Sequence, residues 1–209
     1  LLSDPANSVS YDDTRAALIA SRCGEIGGDG KLLTLSNGSI YRVNLLEKLL
    51  VTTLTKLGNL VPGGGIWMNT RRPEWNDANN ALVGYGLSMV TLCYLRRFLV
   101  SLVVLLKDDT EDSYSISNEV LSLFAAVEKV FTKYTFILET NTAISKQDRK
   151  EFMDELGLPA EHYRESVYDG FSGQKSVLNK TELLAFIKLA GNYLDDSIAR
   201  NTRGDSMFH

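Results

Sequence analysis

The chain has few of the residues that form metal centres, disulfides or basic surfaces. Its 209 residues include two histidines and two cysteines, and none of them is paired at the spacing of zinc ligands. Cys23 and Cys93 lie far apart in apolar stretches, which predicts buried free thiols and favours a reducing, cytoplasmic compartment. The net charge of −4 is opposite to that of a nucleic-acid-binding surface, so we expect no nucleic-acid partner.

The chain also lacks a long apolar run that is free of charge. The most apolar stretch, residues 87–106, contains Arg96 and Arg97 near its middle, where charge is costly inside a bilayer. We therefore expect a core helix there and no membrane partner. The sequence starts without Met, lacks the basic and apolar regions of a signal peptide and stops at His209, so we also expect a fragment of a longer protein.

Hydrophobic periodicity predicts a mainly α fold with one small β-hairpin. Apolar residues recur at helical spacing in residues 11–23, 44–57, 81–106, 117–139, 145–156 and 180–200. Ser145 and Asn179 stand where N-caps are expected, and Pro159 is expected to end its helix. Asn37-Gly38 between two short runs predicts the hairpin, within residues 31–43.

Residues 58–80 form the most unusual segment of the chain. They hold both tryptophans, Trp67 and Trp75, and five of the thirteen asparagines. Loops of this length are uncommon in compact domains and are usually functional or disordered, and disordered segments are poor in aromatic residues. The glycine triplet 63–65 predicts a flexible hinge rather than a phosphate-binding loop. We therefore expect any site of this chain to lie in this segment.

Trp75, Asn76 and Asp77 combine the groups that bind and cleave a sugar. The indole offers a flat apolar face, the carboxylate can transfer a proton or accept hydrogen bonds from hydroxyls, and the amide both donates and accepts. Asn79 and Asn80 extend this polar edge towards the next helix. The alternative is that Asp77, Asn79 or Asn80 caps the helix that follows, which would account for one of these residues.

The stretch EWNDANNALVGYGLSMVTLCYLRRFL, residues 74–99, resembles a segment of cellobiose- and chitobiose-phosphorylase-like enzymes. In that family a carboxylate precedes Trp-Asn-Asp, and glycines lead into a helix of an (α/α)6 barrel of the six-hairpin glycosidase group. The closing NTRGDSMFH is similar to a segment of large cellobiose-phosphorylase-like proteins. The resemblance implies antiparallel helix pairs that form part of an (α/α) toroid, as one partial domain over residues 1–209.

The resemblance also assigns roles to residues of the segment. It implies that Asp77 is the general acid that protonates the glycosidic oxygen and that Trp75 lines the sugar site, while Glu74 stands where the family usually has Asp. From the residues themselves we expect substrate contacts from Trp67, Asn76, Asn79, Asn80 and Glu74, with Arg71 and Arg72 as the nearest candidates to bind phosphate. The alternative for the arginine pair is a solvated charge or a salt bridge with Glu74.

The nucleophile stays open between water and phosphate. Inverting hydrolysis needs a second carboxylate about 6.5–9.5 Å from the acid, whereas phosphorolysis uses inorganic phosphate as a co-substrate. We expect no cofactor and no metal. The expected partners are an oligosaccharide or disaccharide and the remainder of the parent chain.

Two further function classes also fit the sequence. They are a non-catalytic helical carbohydrate-binding module and a helical protein-interaction module whose long loop is structural. The acidic segment 108–119 has oxygen ligands at several positions of a calcium-binding loop, but Ser113 stands in place of the glycine at its turn. This pattern favours a solvated acidic connection.

Overall fold

A computed structural model describes residues 11–35, 37–69, 82–139 and 143–202 of the chain. These residues are mainly helical, with two small antiparallel sheets. The helices are α1 (Asp13–Ile26), α2 (Leu45–Leu57), α3 (Met89–Asp108), α4 (Asn118–Lys133), α5 (Phe136–Glu139), α6 (Lys146–Asp169) and α7 (Lys180–Asn201). The strands are β1 (Ile66–Trp67), β2 (Leu87–Ser88), β3 (Ser113–Ser117) and β4 (Lys175–Asn179).

The core is built by the apolar faces of α2, α3, α4, α6 and α7. Its centre is a cluster of aromatic side chains that are almost fully buried: Phe124, Phe131, Phe152, Phe186 and Tyr193. The rings of Phe131 and Tyr193 meet edge to face with centroids 4.8 Å apart, an arrangement that the charge distribution of aromatic rings favours. Helix α3 adds a row of leucines from one face: Leu92, Leu95, Leu99, Leu102 and Leu106.

Two helix–strand–helix units interlock around this core. The first is α3–β3–α4 and the second is α6–β4–α7, and β3 pairs antiparallel with β4 from Ser113↔Asn179 to Ser117↔Lys175. Helix α3 packs against α7, and α4 packs against α6. The sheet therefore joins the segment that connects α3 to α4 with the segment that connects α6 to α7. Each helix of one unit packs on a helix of the other.

The predicted fold class is confirmed, since the described chain is mainly α with small β elements. The hairpin around Asn37-Gly38 is present in reduced form, as one antiparallel bridge between Thr34 and Ile40. Cys23 and Cys93 are free, as expected, but both are only half-buried. The toroid and the single-domain boundary stay predictions.

Pro159 does not end its helix, and this expectation was wrong. Helix α6 runs from Lys146 to Asp169 with the proline inside it. Proline removes one backbone donor from a helix and disfavours the helical conformation of the preceding residue. Beyond it, Tyr163 and Val167 pack against the core, and this tertiary packing continues the helix through the break in the hydrogen bonds.

Two other helix boundaries also differ from expectation. Helix α3 begins at Met89 rather than at residue 81, because Gly84 has a positive φ of 81° and residues 87–88 pair as β2 with β1. Positive φ is left-handed backbone that an α-helix cannot contain. The long helix expected over 117–139 ends at Lys133, and a separate short helix follows from Phe136.

Candidate functional site

Strands β1 and β2 and the residues beside them form a short antiparallel ladder, here called the neck, on either side of residues 70–81. Ile66 pairs with Ser88 and Trp67 pairs with Leu87. The ladder continues towards the loop, since Met68 donates its backbone N–H to Gly86 at 3.0 Å and accepts from Gly84. The chain therefore leaves the neck after Asn69 and returns before Leu82, with its two ends held side by side.

The glycine triplet forms an anchored turn below the neck, not the flexible hinge that we expected. Gly63 has a φ of 68°; its N–H donates to the hydroxyl of Ser197 at 3.1 Å, and its carbonyl accepts from the amide of Asn201 at 3.1 Å. Gly65 lies so close to Ser88 that a Cβ would be 3.0 Å from its backbone. The neck is thereby fixed to the C-terminal end of α7.

Trp67 is the one predicted site residue among those that the structure describes. It is half-buried in β1, and its indole N–H donates to the carbonyl of Gly84 at 3.0 Å. The polar atom of this side chain is therefore used to close the neck. What Trp67 can still offer a sugar is the apolar face of its ring.

The other predicted site residues lie outside the described residues. These are Arg71, Arg72, Glu74, Trp75, Asn76, Asp77, Asn79 and Asn80. The sugar-binding role of the tryptophan and asparagines, the phosphate-binding role of the arginines and the general-acid role of Asp77 therefore stay predictions.

Asp77, Asn79 and Asn80 lie outside the described residues, so their role as helix caps stays a prediction, although none of them caps α3. The N-cap of α3 is Ser88, whose hydroxyl accepts a hydrogen bond from the backbone N–H of Thr91 at 3.0 Å. A serine hydroxyl in this position satisfies one of the free donors of the first helical turn.

The structure also contains a cavity that the sequence did not indicate. It has a volume of about 680 Å³, within the range of about 300–1,000 Å³ typical of small-molecule sites. It lies between the 32–43 turn, the first half of α2 and the end of α6, and its lining includes Tyr41, Glu47, Tyr163 and Phe171. The rings of Tyr41 and Tyr163 each meet Phe171 edge to face.

Glu47 is the buried charged group in the wall of this cavity, with 1% of its surface exposed. One carboxylate oxygen accepts from the hydroxyl of Ser117, and the other accepts from its backbone N–H at 3.2 Å. The single proton of the Ser117 hydroxyl is used in its bond to Glu47. Tyr41 therefore donates its own hydroxyl proton to Ser117 Oγ, at 2.8 Å. Ser117 is the N-cap residue of α4, where negative charge is stabilised by the helix dipole.

A second carboxylate, that of Glu119, is close enough to Tyr163 in the cavity wall to affect the pKa of its hydroxyl. Burial raises the pKa of Tyr163 to about 12, and the negative charges of Glu47 and Glu119 add to this effect. Burial also acts to raise the pKa of Glu119, but hydrogen bonds from Ser172 outweigh it and hold that pKa below its usual value. Glu119 Oε1 accepts from the Ser172 N–H at 2.7 Å. Its other oxygen is buried without a hydrogen-bond partner among the described residues.

The acidic connection between α3 and α4 is organised by a lysine. Lys180 Nζ donates to the carbonyl of Asp109 at 2.9 Å and lies 4.0 Å from the carboxylate of Asp112. The side chain of Asp109 accepts from the N–H of Glu111 and the hydroxyl of Tyr114. Within the described ranges, no group of three or more His, Cys, Asp or Glu residues could hold a metal ion.

Two comparisons with known proteins found no relative of this chain. No family model matches the chain, and no curated protein matches it. The resemblance to phosphorylase-like enzymes is therefore carried by the residues 74–99 and the closing segment alone.

Proposed function

We propose that this chain belongs to a carbohydrate-active enzyme that cleaves or phosphorolyses a glycosidic bond, with Asp77 as the general acid. The observation that carries the proposal is the sequence Glu74-Trp75-Asn76-Asp77, which combines a sugar platform, an amide and a carboxylate. A general acid of this kind contributes about 10²–10⁴-fold to the rate. It works when apolar surroundings keep the carboxyl protonated near neutral pH.

The neck supports this proposal because it gives the segment a fixed point of attachment. Ordered loops on a rigid scaffold are where catalytic groups concentrate. Here the scaffold is the ladder from Ile66 to Met68 against Gly84 to Ser88, tied to α7 through Gly63. Substrates of the proposed class are oligosaccharides or disaccharides, and Arg71 and Arg72 are the proposed phosphate contacts if phosphate is the nucleophile.

The test compares Asp77→Asn with the unmodified chain on cello-oligosaccharides and chito-oligosaccharides, each with and without inorganic phosphate. We expect turnover to fall by at least about 100-fold while sugar binding is retained. Asp13→Asn, an exposed carboxylate in the first turn of α1, is the matched control and should leave turnover unchanged. Where the unmodified protein turns over a sugar, equal turnover in Asp77→Asn would contradict the proposal.

Binding is measured separately through the two tryptophans. In Trp67→Phe the remaining indole is Trp75, and we expect its fluorescence to change on addition of sugar. In Trp75→Phe the remaining indole is Trp67, whose N–H is bonded to Gly84, and we expect a smaller change. If this chain together with the remainder of its parent shows neither turnover nor a fluorescence response, that result favours the second candidate below.

The second candidate function is a helical protein-interaction module. One observation favours it: α3 is a helix of 20 residues, long and apolar enough to cross a membrane by length and composition, with a mean hydropathy of 1.9. Only 28% of that apolar window is buried, so the expected core helix lies in the core with one face only. A helix that is apolar all round is normally buried, so the exposed apolar side of α3 favours contact with another protein.

A further inference from the structure

The outer face of α3 is an exposed apolar stripe. Its members are each more than half exposed, and around the helix axis they lie within about 80° of the middle of this face. They are Val90, Tyr94, Val100, Val104 and Leu105. The opposite face, with Leu95 and Leu102, packs into the core and against α7. Exposed apolar side chains grouped on one face in this way are typical of an interaction site.

Two charged residues lie on the same stripe without a partner. Arg97 and Asp108 are exposed and make no side-chain hydrogen bond or ion pair within the described part of the chain, whereas the neighbouring Arg96 is paired with Asp195 of α7 at 2.6 Å. Arg97 stands in the middle of the apolar stripe, where contact with lipid would be costly. The stripe therefore fits a protein surface better than a bilayer.

The spacing of these two charges is self-complementary. Arg97 and Asp108 are eleven residues apart, which is close to three helical turns and keeps them on one face. If a second α3 lies antiparallel across the stripe, each Arg97 stands opposite the Asp108 of the other copy. In this register Ser101 of one helix meets Val104 of the other, and the small serine allows close approach of the two backbones.

We infer that a second copy of this chain docks on the C-terminal half of the α3 stripe, residues 97–108, in an antiparallel two-fold pair held by apolar contacts of Val100, Val104 and Leu105 and by two Arg97–Asp108 ion pairs. Two-fold dimers are the commonest assemblies of soluble proteins, and they bring the same surface patch of both copies together. Opposite charges placed in this way fix the register of the contact. The inference does not depend on the proposed glycosidic chemistry.

Charge exchange tests the register. Sedimentation velocity across low to high micromolar concentration is expected to show a dimer for the unmodified chain. Arg97→Asp and Asp108→Arg should each raise the dimer dissociation constant by at least about tenfold, because each puts like charges opposite one another. The double variant Arg97→Asp with Asp108→Arg should restore dimerisation, since it exchanges the charges without removing the pairs. Failure of the double variant to recover overturns the register.

Val104→Asp tests the apolar contact, and Val177→Asp is its matched control. Both valines are more than half exposed, but Val177 lies on β4. We expect Val104→Asp to abolish the dimer, Val177→Asp to leave it intact, and both to keep the far-UV circular dichroism of the unmodified chain. A chain that is monomeric at every concentration overturns the inference, and a monomer that binds phospholipid vesicles through this face overturns it in favour of a lipid surface.

Discussion

The carboxylate of Glu47, on α2, accepts hydrogen bonds from both the backbone N–H and the hydroxyl of Ser117, on the strand that leads into α4. One buried side chain thereby joins two elements that are 70 residues apart. It also fixes the wall of the cavity beside Tyr41 and Tyr163.

We predict that Glu47→Gln destabilises the fold by about 1.5–3 kcal/mol, the usual contribution of a hydrogen bond to a charged group. The substitution keeps the shape but loses the charge, and it presents an amide N–H₂ to donors that need an acceptor. The measurement is urea unfolding at neutral pH. Glu165→Gln, at an exposed position of α6, should change the free energy of unfolding by less than about 0.5 kcal/mol. Equal effects of the two substitutions would contradict the prediction.

The pH dependence of stability is expected to change in Glu119→Gln. The pKa of Glu119 is lowered in the folded chain, so its ionised form is favoured by folding, and its contribution is present above the ordinary pKa of about 4.5. That contribution is lost as pH falls through the lower folded pKa. Urea midpoints should therefore differ between the two proteins at pH 7 and converge in acid. A difference that grows as pH falls would show the opposite sign.

Tyr193 supports the end of α4 from inside the core. Its hydroxyl donates to the carbonyl of Phe131 at 2.7 Å, in the last turn of that helix, where carbonyls lack helical partners. We expect Tyr193→Phe to lower the free energy of unfolding by about 1–3 kcal/mol, because the buried carbonyl is left without a donor. Tyr94→Phe is the control at an exposed tyrosine and should be nearly neutral. A neutral Tyr193→Phe would mean that water replaces the hydroxyl.

Replacing the proline inside α6 should stabilise the protein. Pro159→Ala restores a backbone donor to the helix, and proline in a helix interior costs about 3 kcal/mol relative to alanine. We expect a gain of about 1–3 kcal/mol, measured as a higher urea midpoint. Leu158→Ala, at the exposed neighbouring position, should give no such gain. A loss of stability in Pro159→Ala would indicate that the proline fits a bend that the packing requires.

The helices were predictable because apolar periodicity and caps are local signals. Ser145, for example, accepts from the N–H of Asp148 as the sequence indicated. Asn179 also takes the N-cap position of α7, although its side chain makes no capping hydrogen bond. The first residues of these two helices therefore follow from local sequence alone.

Strands β3 and β4 were not predictable in the same way. Strand β4 is short, mostly polar and mostly exposed, so it lacks the alternation of a half-buried strand. Strand β3 alternates serine with Tyr114 and Ile116, but over five residues only. Each becomes a strand through pairing with the other. The cavity beside Glu47 was missed for a related reason, since Tyr41, Glu47 and Tyr163 come from separate parts of the chain and a glutamate inside a helix gives no sign that it is buried. The sequence-based site at Asp77 stays a prediction.

The pairing of β3 with β4 has a consequence for how fast the chain can fold. Asn118, which directly follows β3, and Ser176, in β4, share a hydrogen bond and are 58 residues apart. The entropy of closing a loop of that length must be lost before the sheet stabilises anything, whereas helices such as α6 form from contacts a few residues apart. A high share of non-local contacts slows folding. We therefore expect helical circular dichroism to recover early in refolding, and the protection of β3 and β4 amides from hydrogen exchange to appear later.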